Sequence, residues 1–207
     1  MKKILELFAG SRSFSKVAKK MGFDIFTIDI NNFDEISLIK DIEFIEKNDI
    51  PFIPDIIWAS PPCTTYSIAA ISTHRNGQIP KTEFAKKSDR LIKKTLEIIK
   101  WFPNAKFYIE NPVGMLRKMD FMKGIERATV TYCQYGDKRM KPTDIWSNNI
   151  YSIFNRKGWQ PKSKCHNNDS CHISAPRGSR TGTQGLKNNY EKSKVPIALC
   201  KEILLQN

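Results

Sequence analysis

The sequence predicts an α/β protein built on a doubly wound sheet with helices on both faces. Three observations predict it. Short apolar runs of strand length alternate with longer amphipathic runs through the first two-thirds of the chain. Gly, Ser, Asn and Pro punctuate the joins between them. The chemically distinctive residues fall just past the apolar runs, where such sheets bind their ligands.

The elements follow in order. Lys2–Phe8 reads as a first strand, turning at "AGSRS". Ser13–Gly22 reads as a short helix: Phe14, Val17, Ala18 and Met21 share one face, and Gly22 stops it. Asp24–Asp29 is a second strand, Leu38–Ile39 a short third, and Asp55–Ala59 a fourth. A long helix is expected from Thr82 to Phe102, with an apolar stripe of Phe84, Leu91, Ile92, Thr95, Ile98, Ile99 and Phe102. Lys106–Glu110, Glu126–Cys133 and Thr143–Ser147 read as three further strands. Residues 155–192 are rich in Lys, Asn, Gly and Ser and read as mostly loop. Val195–Leu205 recovers a helical pattern, expected to pack back on the core. The division expected is a core domain over residues 1–150, a basic loop-rich region over 151–192, and a terminal helix over 193–207.

The chain has 207 residues, enough for one domain with a real core. Charged residues are 27% and hydrophobic residues 40%, an ordinary globular balance. No apolar run approaches the ~20 residues of a membrane span. The opening "MKKILELFAG" is interrupted by Glu6, so it reads as a strand rather than a secretion signal, and a cytoplasmic location is expected. The odd set of cysteines, Cys63, Cys133, Cys165, Cys171 and Cys200, argues against a disulfide framework. The net charge of +13, from 34 Lys+Arg against 21 Asp+Glu, attracts polyanions, and nucleic acid is the natural partner.

Four features collect at strand ends. Ala9, Gly10 and Ser11 let backbone N–H groups approach a ligand at a helix start. Asp29, about twenty residues past a Gly-containing turn, suits the hydroxyls of a ribose. In "SPPCTTYS" a proline pair presents Cys63 rigidly at the mouth of the cleft. In "ENP", Glu110 stands where a carboxyl group can protonate a substrate that the thiol attacks.

These motifs together resemble the DNA (cytosine-5) methyltransferases. "ELFAGSRSF" is similar to the turn that holds S-adenosylmethionine, and "KDI" to the motif whose aspartate, here Asp41, contacts the adenine. "SPPCTTYS" resembles the proline–cysteine motif, "ENP" the Glu-Asn-Val motif, and "CQYGDKRMKP" the later Tyr-Gly motif. The motifs stand in family order from Met1 to about Trp146. The resemblance implies a Rossmann-like S-adenosylmethionine-dependent sheet that methylates C5 of cytosine in double-stranded DNA. The base is flipped out and Cys63 adds to its C6. It further implies catalysis by Cys63 and Glu110 with Asn111 and Arg139 in support. S-adenosylmethionine would lie on Phe8, Ala9, Gly10, Ser11, Asp29, Ile30, Asp41, Ile42 and Pro61. Nucleic acid would be met by Tyr66, Ser67, Arg75, Lys81, Lys138, Lys141, Arg177 and Arg180. A monomer is expected.

The sequence departs from the family in four places. Only about sixty residues follow Trp146, too few for a full target-recognition region, so the basic loops of 155–192 are the candidates for DNA contact. Thr64-Thr65-Tyr66 replaces Gln-Pro-Phe. Lys141 replaces the second arginine of Arg-x-Arg, losing its bidentate fork. "TQGLKNNYEKSKVPIALC" matches the last motif only in part. In "KCHNNDSCH", Cys165, His166, Cys171 and His172 have zinc-ligand chemistry, but their spacing is not Cys-x₂-Cys and no metal is assigned. Two other readings stay open: modification of a pyrimidine in RNA or transfer of another group, and a catalytically weak nucleic-acid-binding protein.

Overall fold

The computed structural model describes residues 1–166, 169–173 and 188–206. The chain forms β1 (Lys3–Leu7), α1 (Ser13–Lys20), β2 (Asp24–Asp29), β3 (Leu38–Ile39) and β4 (Ile56–Ala59). An excursion follows, made of α2 (Ile71–His74), β5 (Arg75–Asn76) and β6 (Ile79–Pro80). Then come α3 (Glu83–Lys100), β7 (Lys106–Pro112), β8 (Arg127–Thr131), β9 (Pro142–Ser147), α4 (Asn189–Ser193) and α5 (Ile197–Leu205). Seven strands form one sheet in the order β3-β2-β1-β4-β7-β9-β8, and β5 and β6 form a separate pair. The first five sheet strands are parallel, whereas β9 runs antiparallel between β7 and β8. The sheet is therefore mixed at one edge.

Both faces are covered, which is why the strand runs are apolar on both sides of the pleat. Ile4, Ile56, Trp58, Tyr108 and Ile145 point to one face, against Phe14, Val17 and Ala18 of α1 and Leu199, Cys200, Ile203 and Leu204 of α5. Phe14 stacks on Trp58 with ring centroids 4.4 Å apart. Leu5, Leu7, Ile57, Ala59, Ile109 and Trp146 point to the other face, against Leu91, Ile92, Ile98 and Ile99 of α3. Trp159, inside the stretch read as loop, is fully buried and donates from Nε1 to Glu202 Oε1 at 2.9 Å. Aromatic anchoring thus ties part of that region to α5. No helix among the described residues is long and apolar enough to cross a membrane.

The long helix starts where the Thr82 hydroxyl accepts from Ala85 N. Its expected stripe is corrected at one end. Phe84 is exposed and packs edge-on against the His74 ring, because the first turn of α3 faces the α2–β5 excursion rather than the sheet. Ala85, Ser88 and Asp89 turn inward instead.

Helix α1 has no side-chain cap at Arg12. Its first turn is held by Glu6, which accepts from Ser15 N at 3.0 Å from within the sheet. Burial pushes the Glu6 carboxyl up from 4.5 to about 7, against the Ser15 bonds and Arg12, which pull it down. A carboxyl raised on folding favours the folded state below its unfolded value, and that contribution is lost as pH rises. The expected loss between pH 4.5 and 7 is about 3 kcal/mol. Urea unfolding across that window should show Glu6→Gln without this slope; an unchanged slope would reject the assignment.

Candidate active site at the carboxyl ends of the strands

Strand register builds the site. Leu7 pairs with Ile28 and Ala59, and Ala59 pairs with Ile109. Phe8, Asp29, Ser60 and Glu110 therefore lie on one level at the carboxyl ends. Chain direction reverses its winding between β1 and β4, which opens a crevice there. Asp29 and Glu110 lie three strand spacings apart, about 14 Å.

The β1 turn is a left-handed one: Phe8, Gly10 and Arg12 have φ of 56°, 44° and 55°. Only glycine adopts that region freely. Gly10 N donates to Asp29 Oδ2 at 2.9 Å and Asn31 N to Asp29 Oδ1 at 2.8 Å. The carboxylate of Asp29 is thereby fixed beside the turn. A Cβ on Gly10 would stand 3.9 Å from Asp29 Oδ2, in the space between turn and acid. The turn and the acid thus form a small polar cradle. Ala9 and Ser11 are buried in the turn, and Ile30 is exposed just past Asp29. Ile42 is corrected: its side chain lies in the core under the sheet. Asp41 is engaged by Lys87 at 2.7 Å and by Glu43 N at 3.0 Å, so its carboxylate caps a short turn. Burial pushes the Asp41 carboxyl up, but Lys87, the Glu43 amide and Arg90 together hold it below its usual value.

Cys63 lies on the loop after β4, half-buried. Asn111, at the end of β7, donates from Nδ2 to Pro61 O at 2.9 Å and fastens that loop to the strand carrying Glu110. Asn111 Oδ1 is buried without a partner. Tyr132 donates to Glu110 Oε1 at 2.7 Å, and Lys141 Nζ stands 3.9 Å from the same oxygen. Burial first, and then the Glu110 charge, push the Cys63 thiol up, while Lys141 pulls it down. A thiol, a carboxyl group and a cation thus share one corner.

Several assignments to nucleic acid are corrected. Tyr66 is fully buried and donates to Asp89 Oδ1 at 2.7 Å. Arg75 is buried too: it pairs with Asp89 at 2.6 Å, donates to Thr65 O at 2.9 Å and lies 4.3 Å over the Tyr66 ring. The cation that the sequence offered to phosphates instead clamps the loop after Cys63 onto α3. Lys141 faces Glu110 and the Tyr132 ring rather than solvent. Ser67 is half-buried and donates to Thr64 O, whereas Lys81 and Lys138 are exposed. Arg177 and Arg180 lie outside the described residues. Arg139 is buried against Asp137, with Nη1 unpartnered, in the wall of a cleft of about 770 Å³ that excludes Cys63 and Glu110.

Sequence reasoning missed three contributors. Tyr132 carries no motif signal, yet it holds Glu110. Gly114 has open φ but no room: a Cβ there would come within 2.3 Å of Tyr66 O, so the exit of β7 packs directly on the Cys63 loop. Residues before α5 close toward the cradle, with Val195 N donating to Ser13 Oγ at 3.1 Å and the Tyr190 ring 6.0 Å from Phe33. Cys165, Cys171 and His172 gather against Cys133, and His166 is not among them.

The family model of the C-5 cytosine-specific DNA methylases matches residues 2–136. The chain is 27% identical over 221 aligned positions to a Frog virus 3 (isolate Goorha) protein named "Probable DNA (cytosine-5)-methyltransferase", covering 98% of each. Among solved structures, it is similar to the Entamoeba histolytica methyltransferase EhMeth, at 16% identity and a TM-score of 0.52 over 71% of this chain. It is also similar to DNMT2 of Spodoptera frugiperda, at 20% identity and a TM-score of 0.51 over 79% of this chain. These likenesses show the fold. The chain spans about half the length of these two structures, 52% and 55%.

Proposed function

This chain belongs to the C-5 cytosine-specific DNA methylase family, whose cofactor is S-adenosylmethionine, and we propose that it methylates C5 of cytosine in double-stranded DNA through a transient Cys63 adduct. The observation that carries the reading is the corner itself: Cys63 and Glu110 on adjacent strand ends, joined by the Asn111–Pro61 bond of 2.9 Å.

S-adenosylmethionine fits the cradle formed by Gly10 and Asp29, with Phe8, Ala9, Ser11 and Ile30 around it. When bound, it supplies the electrophilic methyl group that C5 takes. The chain's own residues do the rest. The target base enters from outside the helix stack, as an atom of a stacked base is out of reach. A solvent base takes the Cys63 proton, and the resulting thiolate adds to C6, forming the S–C6 bond. With Oε1 engaged by Tyr132, Glu110 presents its other oxygen and gives a proton to N3, so the electron pair displaced from the C5–C6 bond accumulates as an enamine at C5. After C5 gains its methyl group, a solvent base removes the C5 proton. The S–C6 bond then breaks, Cys63 leaves as thiolate, and Glu110 recovers the N3 proton. Lys141 stabilises the thiolate at both ends of the cycle. Exposed Lys81 and Lys138, with the net charge of +13, supply non-specific attraction for the duplex. The working form is a monomer in the cytoplasm.

The test is transfer of labelled methyl groups from S-adenosylmethionine to duplex DNA, beside Cys63→Ala. Label recovered as 5-methylcytosine, and lost by more than about a thousandfold in the variant, is the expected result. Duplex DNA containing 5-fluorocytosine should trap wild-type protein as a stable adduct, and Cys63→Ala should not be trapped. Label in RNA alone, or in DNA at any other atom, would overturn the proposal.

A further inference from the structure

Just beyond the carboxyl end of β8, four soft ligands converge. Cys133 lies on the turn after β8, and Cys165, Cys171 and His172 come from a loop more than thirty positions later. Their ligand atoms all lie within 4.8 Å of one another. We propose that Cys133, Cys165, Cys171 and His172 hold one structural zinc ion.

The geometry fits a tetrahedral S₃N centre. With ordinary Zn–S and Zn–N bonds, the S···N edges of such a tetrahedron measure about 3.6 Å and the S···S edges about 3.8 Å. His172 Nδ1 stands 3.5 Å from Cys171 Sγ and 3.7 Å from Cys165 Sγ. Cys133 Sγ and Cys165 Sγ stand 3.0 Å apart, so that edge opens by about 0.8 Å on binding. Adjacent residues 171 and 172 both reach the centre because the loop doubles back. His166 N donates to Asp169 Oδ2 at 2.7 Å and Asp169 N to His166 O at 3.1 Å. His166 therefore builds the loop and is not a ligand.

Neighbouring groups support the ligands, as outer partners of metal sites do. Cys165 N donates to Thr131 Oγ1 at 3.0 Å, and Gln134 Nε2 to Cys171 Sγ at 3.4 Å. Three thiolates and one imidazole around a closed tetrahedron select zinc over the hard cations. The described residues 160–166 and 169–173 carry no helix or strand, so the metal supplies ordering that packing does not. The ion would staple that loop to the turn whose Tyr132 contacts Glu110.

The experiment uses the full chain, purified under reductant with zinc present. Elemental analysis should find about one zinc per chain, falling to under about a tenth in Cys171→Ser and His172→Asn. His166→Asn should keep its zinc. Cobalt(II) exchanged into the wild-type protein should show the intense visible bands of a tetrahedral thiolate centre, which decides the question even if a variant fails to fold. No zinc and no such bands in wild type would overturn the proposal. So would equal loss in His166→Asn and His172→Asn, or a Cys133–Cys165 disulfide in the peptide map of the reduced preparation.

Discussion

Glu110→Gln is expected to lower the rate of methyl transfer about 10²–10⁴-fold while leaving S-adenosylmethionine affinity unchanged. Glutamine keeps the shape of the side chain and still accepts from Tyr132, but it has no proton to give. Glu110 is buried, with Oε1 2.7 Å from the Tyr132 hydroxyl, so its position is fixed. Single-turnover methylation of a duplex separates this loss from product release, and calorimetry reports cofactor binding. Tyr132→Phe removes one hydrogen bond to Glu110 and should cost about tenfold. A Glu110→Gln rate within a few-fold of wild type would remove Glu110 from the chemistry.

Arg75→Ala is expected to destabilise the fold by about 3–5 kcal/mol, lowering the melting temperature by roughly 10 °C in a domain of this size. The guanidinium is buried and touches Asp89, Thr65 O and the Tyr66 ring together. Its removal strands the Asp89 carboxylate under the Cys63 loop and leaves the Thr65 carbonyl without its donor. Arg75→Met combined with Asp89→Leu leaves no stranded charge and should regain part of the stability, the shortfall coming from the Tyr66 hydroxyl and Thr65 carbonyl left without partners. An exposed, phosphate-facing arginine would behave differently. Its loss would leave melting unchanged and reduce the salt dependence of DNA binding. Melting curves for the single and double variants discriminate the two roles.

That arginine marks the boundary of what the sequence discloses. The strand and helix rhythm was legible because a sheet covered on both faces demands apolar runs at regular spacing. Ser13–Lys20 and Asp24–Asp29 follow the expected spans closely. Cys63, Glu110 and Gly10 were legible because their chemistry is unusual just past a strand. The partners of a charge are not written locally. Arg75 reads as basic loop until Asp89, on a different element, is known to face it. Lys141 reads as DNA-facing until the β9 start brings it to Glu110. Tyr132 is an ordinary strand-end tyrosine by spacing alone. The Cys–His loop was legible as ligand chemistry but not as a set, since Cys133 lies on a turn remote in sequence.

The raised thiol of Cys63 has a consequence for the protein between encounters with substrate. Peroxide and alkylating agents attack sulfur mainly as the anion. Burial and the adjacent Glu110 keep this sulfur protonated at neutral pH, so the resting molecule carries its most reactive atom in a dormant form. On the proposed mechanism, durability thus comes from the same corner that performs the reaction.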